Sequence, residues 1–274
     1  MGDGDRLAPV RRYYRERGES ELHRLDNPYE GVVERELHRR ALEELIPAGA
    51  RVLDLGGGPG HWTAWLIERG HPVVLADLSP EMLAIARREL GRRGLVPEAI
   101  VEADARDLAR FADGEFEVVL ALGPFYHLVE ASDRDLARGE AHRVLAPEGL
   151  LVATVMTRLA WLLTTVLGGV PNAAGLERLM RDGVYRSAMA GPLTEAYLFR
   201  ADEVEPFFEA GGFETRRLMA SQGFLNQVQE GAAELRQHDP AAYEELLEMA
   251  YRSAGDRSIL GLSGHLLYAG TRPA

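Results

Sequence analysis

Apolar positions between Val32 and Leu45 recur at helical spacing (Val32, Val33, Leu37, Ala41, Leu42 and Leu45) before Pro47 and Gly49 stop the run. Residues 1–47 are therefore expected to form an N-terminal helical cover beside a core. From Arg51 the pattern changes to short apolar runs separated by amphipathic stretches. The runs are Val52–Leu55, Val73–Ala76, Ala99–Val101, Val118–Leu122 and Leu150–Val155. Apolar strands alternating with helices predict an α/β fold, with a mostly parallel sheet covered by helices on both faces over residues 48–155.

Two helix starts stand out in that core. Ser79 is placed to cap, Pro80 suits the first turn, and Glu81 favours the positive end of the helix, whose apolar face is Met82, Leu83, Ala86 and Leu90. Ser132 with Asp135 predicts a second cap, for a helix ending near Val144 and Leu145. Beyond Val155 the alternation weakens. Helix-like pieces broken by Gly168, Gly169, Pro171 and Gly191 predict a helical insertion or lid over residues 156–200. The α/β pattern resumes over residues 201–274. It comprises a helix at about Asp202–Ala210, a strand from Phe213, a helical excursion over residues 225–254 and a closing strand at Leu262–Ala269.

Composition narrows the chemistry. Among 274 residues there is no cysteine, which removes disulfides, thiol nucleophiles and cysteine-held metals. Nor is there any lysine, so all 31 basic residues are arginine; Schiff-base chemistry and a P-loop lysine are excluded. The net charge of −12 argues against a nucleic-acid partner. Leu159–Val170, the longest apolar stretch, falls short of a bilayer span of roughly 20 residues, and the N-terminus has no apolar signal region. A cytoplasmic protein without a membrane partner is expected. The histidines show no HExxH or comparable spacing, and Glu140 with His142 is too isolated to indicate a metal.

The segment Val52-Leu53-Asp54-Leu55-Gly56-Gly57-Gly58-Pro59-Gly60 reads as a buried strand entering a glycine turn, then a helix from about His61. Glycines there admit positive φ and let the backbone approach a ligand. The spacing is Gly56-x-Gly58-x-Gly60, whereas a dinucleotide loop needs a glycine where His61 stands, so NAD or FAD fits poorly. Asp77 ends the next strand, where a carboxylate can accept from both hydroxyls of a ribose. After the third strand comes Glu102-Ala103-Asp104-Ala105-Arg106-Asp107-Leu108.

In this order the three segments resemble the class I S-adenosylmethionine-dependent methyltransferases, over Arg51–Asp107. The resemblance implies the family's Rossmann-like seven-stranded sheet with an antiparallel last strand. It implies S-adenosylmethionine as cofactor, with Gly56, Gly57, Gly58 and Gly60 against its methionine part and Asp54 organising the ammonium side. Asp77 would take the ribose, Leu78 and Met82 would lie near the adenine, and Asp104 with Ala105 would read the adenine amino group. Glu102-Ala103 replaces the commoner glycine of that third segment, which leaves the loop shape open.

The fourth strand runs into Leu122-Gly123-Pro124-Phe125-Tyr126-His127-Leu128, and strand ends of an open α/β sheet face the ligand crevice. This run resembles that of UbiE-like small-molecule methyltransferases, which implies Leu122 beside the cofactor and Tyr126 and His127 facing the acceptor. Histidine is the natural base where the acceptor must lose a proton, so His127 is the candidate, with Tyr126 beside it. Base-modifying enzymes usually carry Asn/Asp-Pro-Pro-Tyr/Phe here, a motif this chain lacks. Tyr13, Tyr14 and Tyr29 of the N-terminal piece, and Trp161, Met180, Tyr185, Met189 and Tyr197 of the insertion, are more often core than ligand cage. Arg158, Arg186 and Arg200 carry no substrate assignment. A methyltransferase acting on a small molecule is the leading expectation. A noncatalytic S-adenosylmethionine-binding protein and an RNA or protein methyltransferase are the alternatives, and the acceptor atom and oligomeric state stay open.

Overall fold

Valine- and leucine-rich segments buried on both faces build the centre of the molecule, as expected where helices cover a parallel sheet twice. The computed structural model describes residues 6–27, 31–167, 173–185 and 194–274. Its main sheet contains β1 (Val52–Leu55), β2 (Val73–Asp77), β3 (Ala99–Glu102), β4 (Phe116–Ala121), β5 (Leu145–Met156), β8 (Glu214–Ala220) and β9 (His265–Thr271). The seven strands are ordered β3-β2-β1-β4-β5-β9-β8. The first five are mutually parallel, and β9 pairs antiparallel with both β5 and β8.

Helices lie on both faces. α1 (Ala8–Leu22), α6 (Ala131–Val144) and α9 (Ala201–Glu209) bring Val10, Ala141 and Phe208 to a core with Leu53, Val119 and Leu151. α2 (Val32–Leu45), α3 (His61–Glu68) and α11 (Pro240–Ser253) bring Leu42, Leu66 and Leu247 to the opposite face, against Val52, Val118 and Val152. α4 (Pro80–Arg92) adds Leu83 and Ala86 against Leu75. The first core contains a stack of Phe208 on Tyr268, ring centroids 4.1 Å apart, and neither ring reaches solvent. Removing the phenyl leaves a cavity that the flanking strands cannot collapse into. Phe208→Ala is expected to cost about 3–5 kcal/mol in a urea unfolding titration.

Ser79 caps α4 as expected, accepting from the Met82 N–H at 3.3 Å. Ser132 does not cap α6, which starts at Ala131 after Glu130 with no side-chain cap. The chain before it is held instead by the buried Arg134 guanidinium, which donates to the carbonyls of Leu128 and Val129 at 2.8 and 2.6 Å. The segment from 156 to 200 contains α7 (Arg158–Leu167) and α8 (Ala173–Asp182). It also holds an antiparallel pair, β6 (Val184–Tyr185) with β7 (Ala196–Tyr197), where the sequence suggested helix alone. Gly168, Gly169, Pro171, Arg186, Met189, Gly191 and Tyr29 lie outside the described residues. The helical excursion comprises a 3₁₀ turn at Gly223–Gln227, then α10 (Gln229–His238) and α11. Among the described residues no helix is long and apolar enough to cross a membrane.

Candidate active site

All five parallel strands point their carboxyl ends to one edge, and the loops that leave them line a cavity there. β1 passes into the glycine turn, whose Gly56, Gly58 and Gly60 have φ of +72°, +55° and +87°. Two of the turn's positions have no room for a side chain. A Cβ on Gly56 would stand 2.7 Å from the Pro124 ring, and one on Gly57 would stand 2.6 Å from the Asp54 carboxylate. At Gly58 a Cβ would meet nothing within 4 Å, because that residue faces the cavity. Gly60 serves packing: it lies against Leu75, Ala86 and Leu90, behind the cavity wall.

Asp77 ties the turn down. Its carboxylate accepts from the Gly58 N–H and from the Ser79 N–H, both at 2.8 Å. Asp54 accepts from the Thr63 hydroxyl at 2.6 Å, so the strand end and the start of α3 share one contact. Both carboxylates are buried. Desolvation pushes each up to about 6, and for Asp54 the neighbouring Asp77 adds to the rise.

Asp104 closes the third corner. Burial opposes its charge, but Arg106 more than compensates and leaves the carboxyl below its ordinary value. The Arg106 guanidinium donates to Asp104 at 2.6 Å and to Asp133 on α6 at 3.0 Å. Leu78, Ala105 and Leu122 line the same cavity; Met82 does not, its side chain being buried near Gly18 of α1.

The fourth strand leads through Gly123 into the single turn α5 (Pro124–His127). Tyr126 and His127 both line the cavity, their rings tilted at 54° with centroids 4.6 Å apart. The Nε2 of His127 is 2.7 Å from the Tyr14 hydroxyl, and its Nδ1 is buried with no partner in hydrogen-bonding geometry among the described residues. Burial pushes this imidazole down to about 3, so it is neutral at physiological pH. The Tyr126 hydroxyl is also raised by burial.

Several wall residues escaped sequence reasoning. Leu7, Val10, Glu21, Arg24 and Leu25 reach the cavity from the N-terminal segment through α1 and the 3₁₀ turn at Arg24–Asp26, and Trp62 does so from α3. Tyr14, which the sequence singles out in the N-terminal piece, lines the cavity beside them. Arg158 is not part of the site; it is buried and donates to the carbonyls of Met180 and Leu198 and to Glu203. Arg200 is exposed and pairs with Asp202 at 2.9 Å.

A 3-2-1-4-5-9-8 sheet with acids at the ends of β1 and β2, and another just beyond β3, around a glycine turn resembles the class I, S-adenosylmethionine-dependent methyltransferases. Comparison with known proteins agrees. Residues 52–149 match the family model described as methyltransferase domain. A demethylmenaquinone methyltransferase of Thermus thermophilus is 45% identical over 117 residues, which cover 42% of this chain and 51% of that protein. A glycine/sarcosine N-methyltransferase of Halorhodospira halochloris is 38% identical over 113 residues, covering 40% and 42%. The matched stretch thus spans about half or less of these relatives' length. Among solved structures, the 1,6-didemethyltoxoflavin-N1-methyltransferase of Burkholderia thailandensis superposes with a TM-score of 0.60 at 16% identity. That superposition covers 100% of this chain and 92% of the other.

Proposed function

We propose that this chain transfers a methyl group from S-adenosylmethionine to a small-molecule acceptor in the cytoplasm. One observation carries the reading: the glycine turn, Asp54, Asp77 and Asp104 line a single cavity from consecutive strand ends. The site suits that cofactor. Two buried carboxylates held near pKa 6 are costly without a ligand, and their remaining lone pairs match an ammonium group and a pair of ribose hydroxyls. When bound, the sulfonium supplies an electrophilic methyl group.

In this reading Asp77 accepts from the ribose while still holding the Gly58 amide. Asp54 fixes the turn and the amino end, Leu78 packs on the adenine, and Asp104 with Ala105 reads its edge. Leu122 flanks the sulfur side. Tyr126 and His127 face the acceptor. Methyl transfer is an in-line displacement that rests on positioning, so the work of these residues is to fix donor and nucleophile in line and exclude water. A neutral imidazole bonded to Tyr14 is a weak base, which makes His127 a wall and orienting residue in this reading.

By name, the relatives methylate demethylmenaquinone, glycine or sarcosine, and 1,6-didemethyltoxoflavin; all are small molecules, which supports the same class here. The net charge of −12 supports it too, against a nucleic-acid polymer. Calorimetric titration with S-adenosylmethionine and S-adenosylhomocysteine, with NADH as control, tests the reading. Micromolar binding of the first two is expected, whereas binding of NADH alone, or of none, overturns it. Product formation from labelled S-adenosylmethionine then separates an enzyme from a noncatalytic binding protein.

A further inference from the structure

On the far side of β4, where the cofactor residues end, the same sheet edge carries a polar cluster that the reaction described above does not use. Ser221 and Gln222 follow β8, Ser263 and His265 stand at the start of β9, and Glu34 and His38 come from α2. The Glu34 carboxylate accepts from Gln222 Nε2 at 2.7 Å and lies 3.0 Å from His265 Nδ1. It also lies 3.6 Å from Arg24, a cavity-lining residue whose guanidinium donates to Glu21 at 2.7 Å. His38 Nε2 lies 2.8 Å from the Ser221 hydroxyl.

This geometry fixes the charge at the acceptor end. Arg24 is shared between two carboxylates, Glu21 and Glu34, so with His265 neutral the group carries one negative charge. Arg11, the other cation in the lining, acts on Asp104 at the opposite end. The cavity wall that includes Arg24 also carries the aromatic residues Tyr14, Trp62 and Tyr126. Tyr126 is only 8% exposed, yet its hydroxyl has no hydrogen-bond partner among the described residues and reaches the cavity. Aromatic faces with a negative balance favour a cation. His265 packs on Tyr126 with ring centroids 5.8 Å apart. Its Nδ1 faces Glu34, which leaves Nε2 as the nitrogen without a partner among the described residues.

We propose that the acceptor is an amine on a compact aromatic or apolar body, held in the cavity by Tyr126 and Glu21, with Glu34 behind Arg24 adding to the negative balance and His265, packed on Tyr126, taking its proton. The inference rests on the methyltransferase reading above and names its substrate class. An arriving ammonium gives one proton to His265 Nε2. The freed nitrogen lone pair forms the N–C bond to the methyl group as the C–S bond breaks and its electron pair goes to sulfur. The product leaves as a methylated ammonium, beside S-adenosylhomocysteine.

The test uses the full chain saturated with S-adenosylhomocysteine, titrated with benzylamine, benzyl alcohol and benzoate, three probes of similar size that differ in charge. Benzylamine is expected to bind about 10-fold or more tightly than benzoate. Loaded with S-adenosylmethionine instead, the chain is expected to yield N-methylbenzylamine. Glu34→Gln and, separately, the more accessible Glu21→Gln are expected to narrow the amine preference at least about threefold; for Glu34→Gln, at a position that does not line the cavity, S-adenosylhomocysteine affinity is expected within about twofold of the parent. Equal binding of the three probes, preference for benzoate, or no binding of any of them overturns the amine site. Failure of S-adenosylhomocysteine itself to bind overturns the methyltransferase reading, which distinguishes the two failures.

Discussion

Asp77→Ala is expected to weaken S-adenosylhomocysteine binding about 100-fold or more, a loss of about 2.7 kcal/mol or greater by calorimetry. The carboxylate has two tasks that fail together. It anchors the Gly58 and Ser79 amides, each at 2.8 Å, and in the proposed complex it accepts from the ribose. Without it the glycine turn has lost one of its fixed points, and two amide donors at the cavity wall are left to find other partners. Asp77→Asn separates the tasks, because its amide oxygen can still accept one of the two N–H bonds. An affinity between those of the parent and the alanine variant is the expected result. Parent-like affinity in the alanine variant would remove Asp77 from the site.

The second large effect is in pH. Asp54 and Asp77 are pushed up to about 6 in the folded chain, chiefly by burial, from an ordinary value of 3.8. In the unfolded chain they ionise first, so between pH 4 and 6 the folded state binds more protons than the unfolded one. The stabilisation from these neutral carboxyls is complete below about pH 4 and is lost as pH rises through 6, on the order of 3 kcal/mol per group. Ligand binding runs the other way, because ribose hydroxyls and an ammonium favour the ionised carboxylates. Affinity for S-adenosylhomocysteine is therefore expected to fall about 10-fold or more between pH 7.5 and pH 5, with proton release on binding near pH 6. Titrations in buffers of different ionisation enthalpy read that release directly. Proton uptake, or a flat profile, would show that the two carboxyls do not ionise on ligand binding.

The proposed cofactor half of this site is legible because its residues fall in a few short segments and each has a local cause. Val52–Leu55 is a strand as read, Asp77 ends the next one, and Gly56, Gly58 and Gly60 adopt positive φ. Gly60 and Met82 were assigned to the ligand from the family pattern, yet both face inward; a glycine needed to let α4 pack close to the turn looks the same in sequence as one needed by a ligand. The proposed acceptor half left no such trace. Glu34 and Gln222 meet across 188 positions of chain, and Ser221 reaches His38 across 183. No periodicity joins residues that only sheet topology brings together. Ser132 misled for a related reason: the capping pattern is local, but the buried Arg134 holds the preceding carbonyls and α6 begins one residue earlier.

The place of β9 between β5 and β8 has a consequence for how the molecule is made. A chain synthesised only as far as β8 has the five parallel strands but no strand to join β8 to them, since β8 pairs only with residues 265–271, which in turn pair with β5. Until those residues leave the ribosome, the free flank of β5 and the whole of β8 are unpaired edges, and Phe208 lacks the ring it stacks on. Closure of this half is a late, long-range event, and nascent chains stalled before it would be the forms most in need of a chaperone.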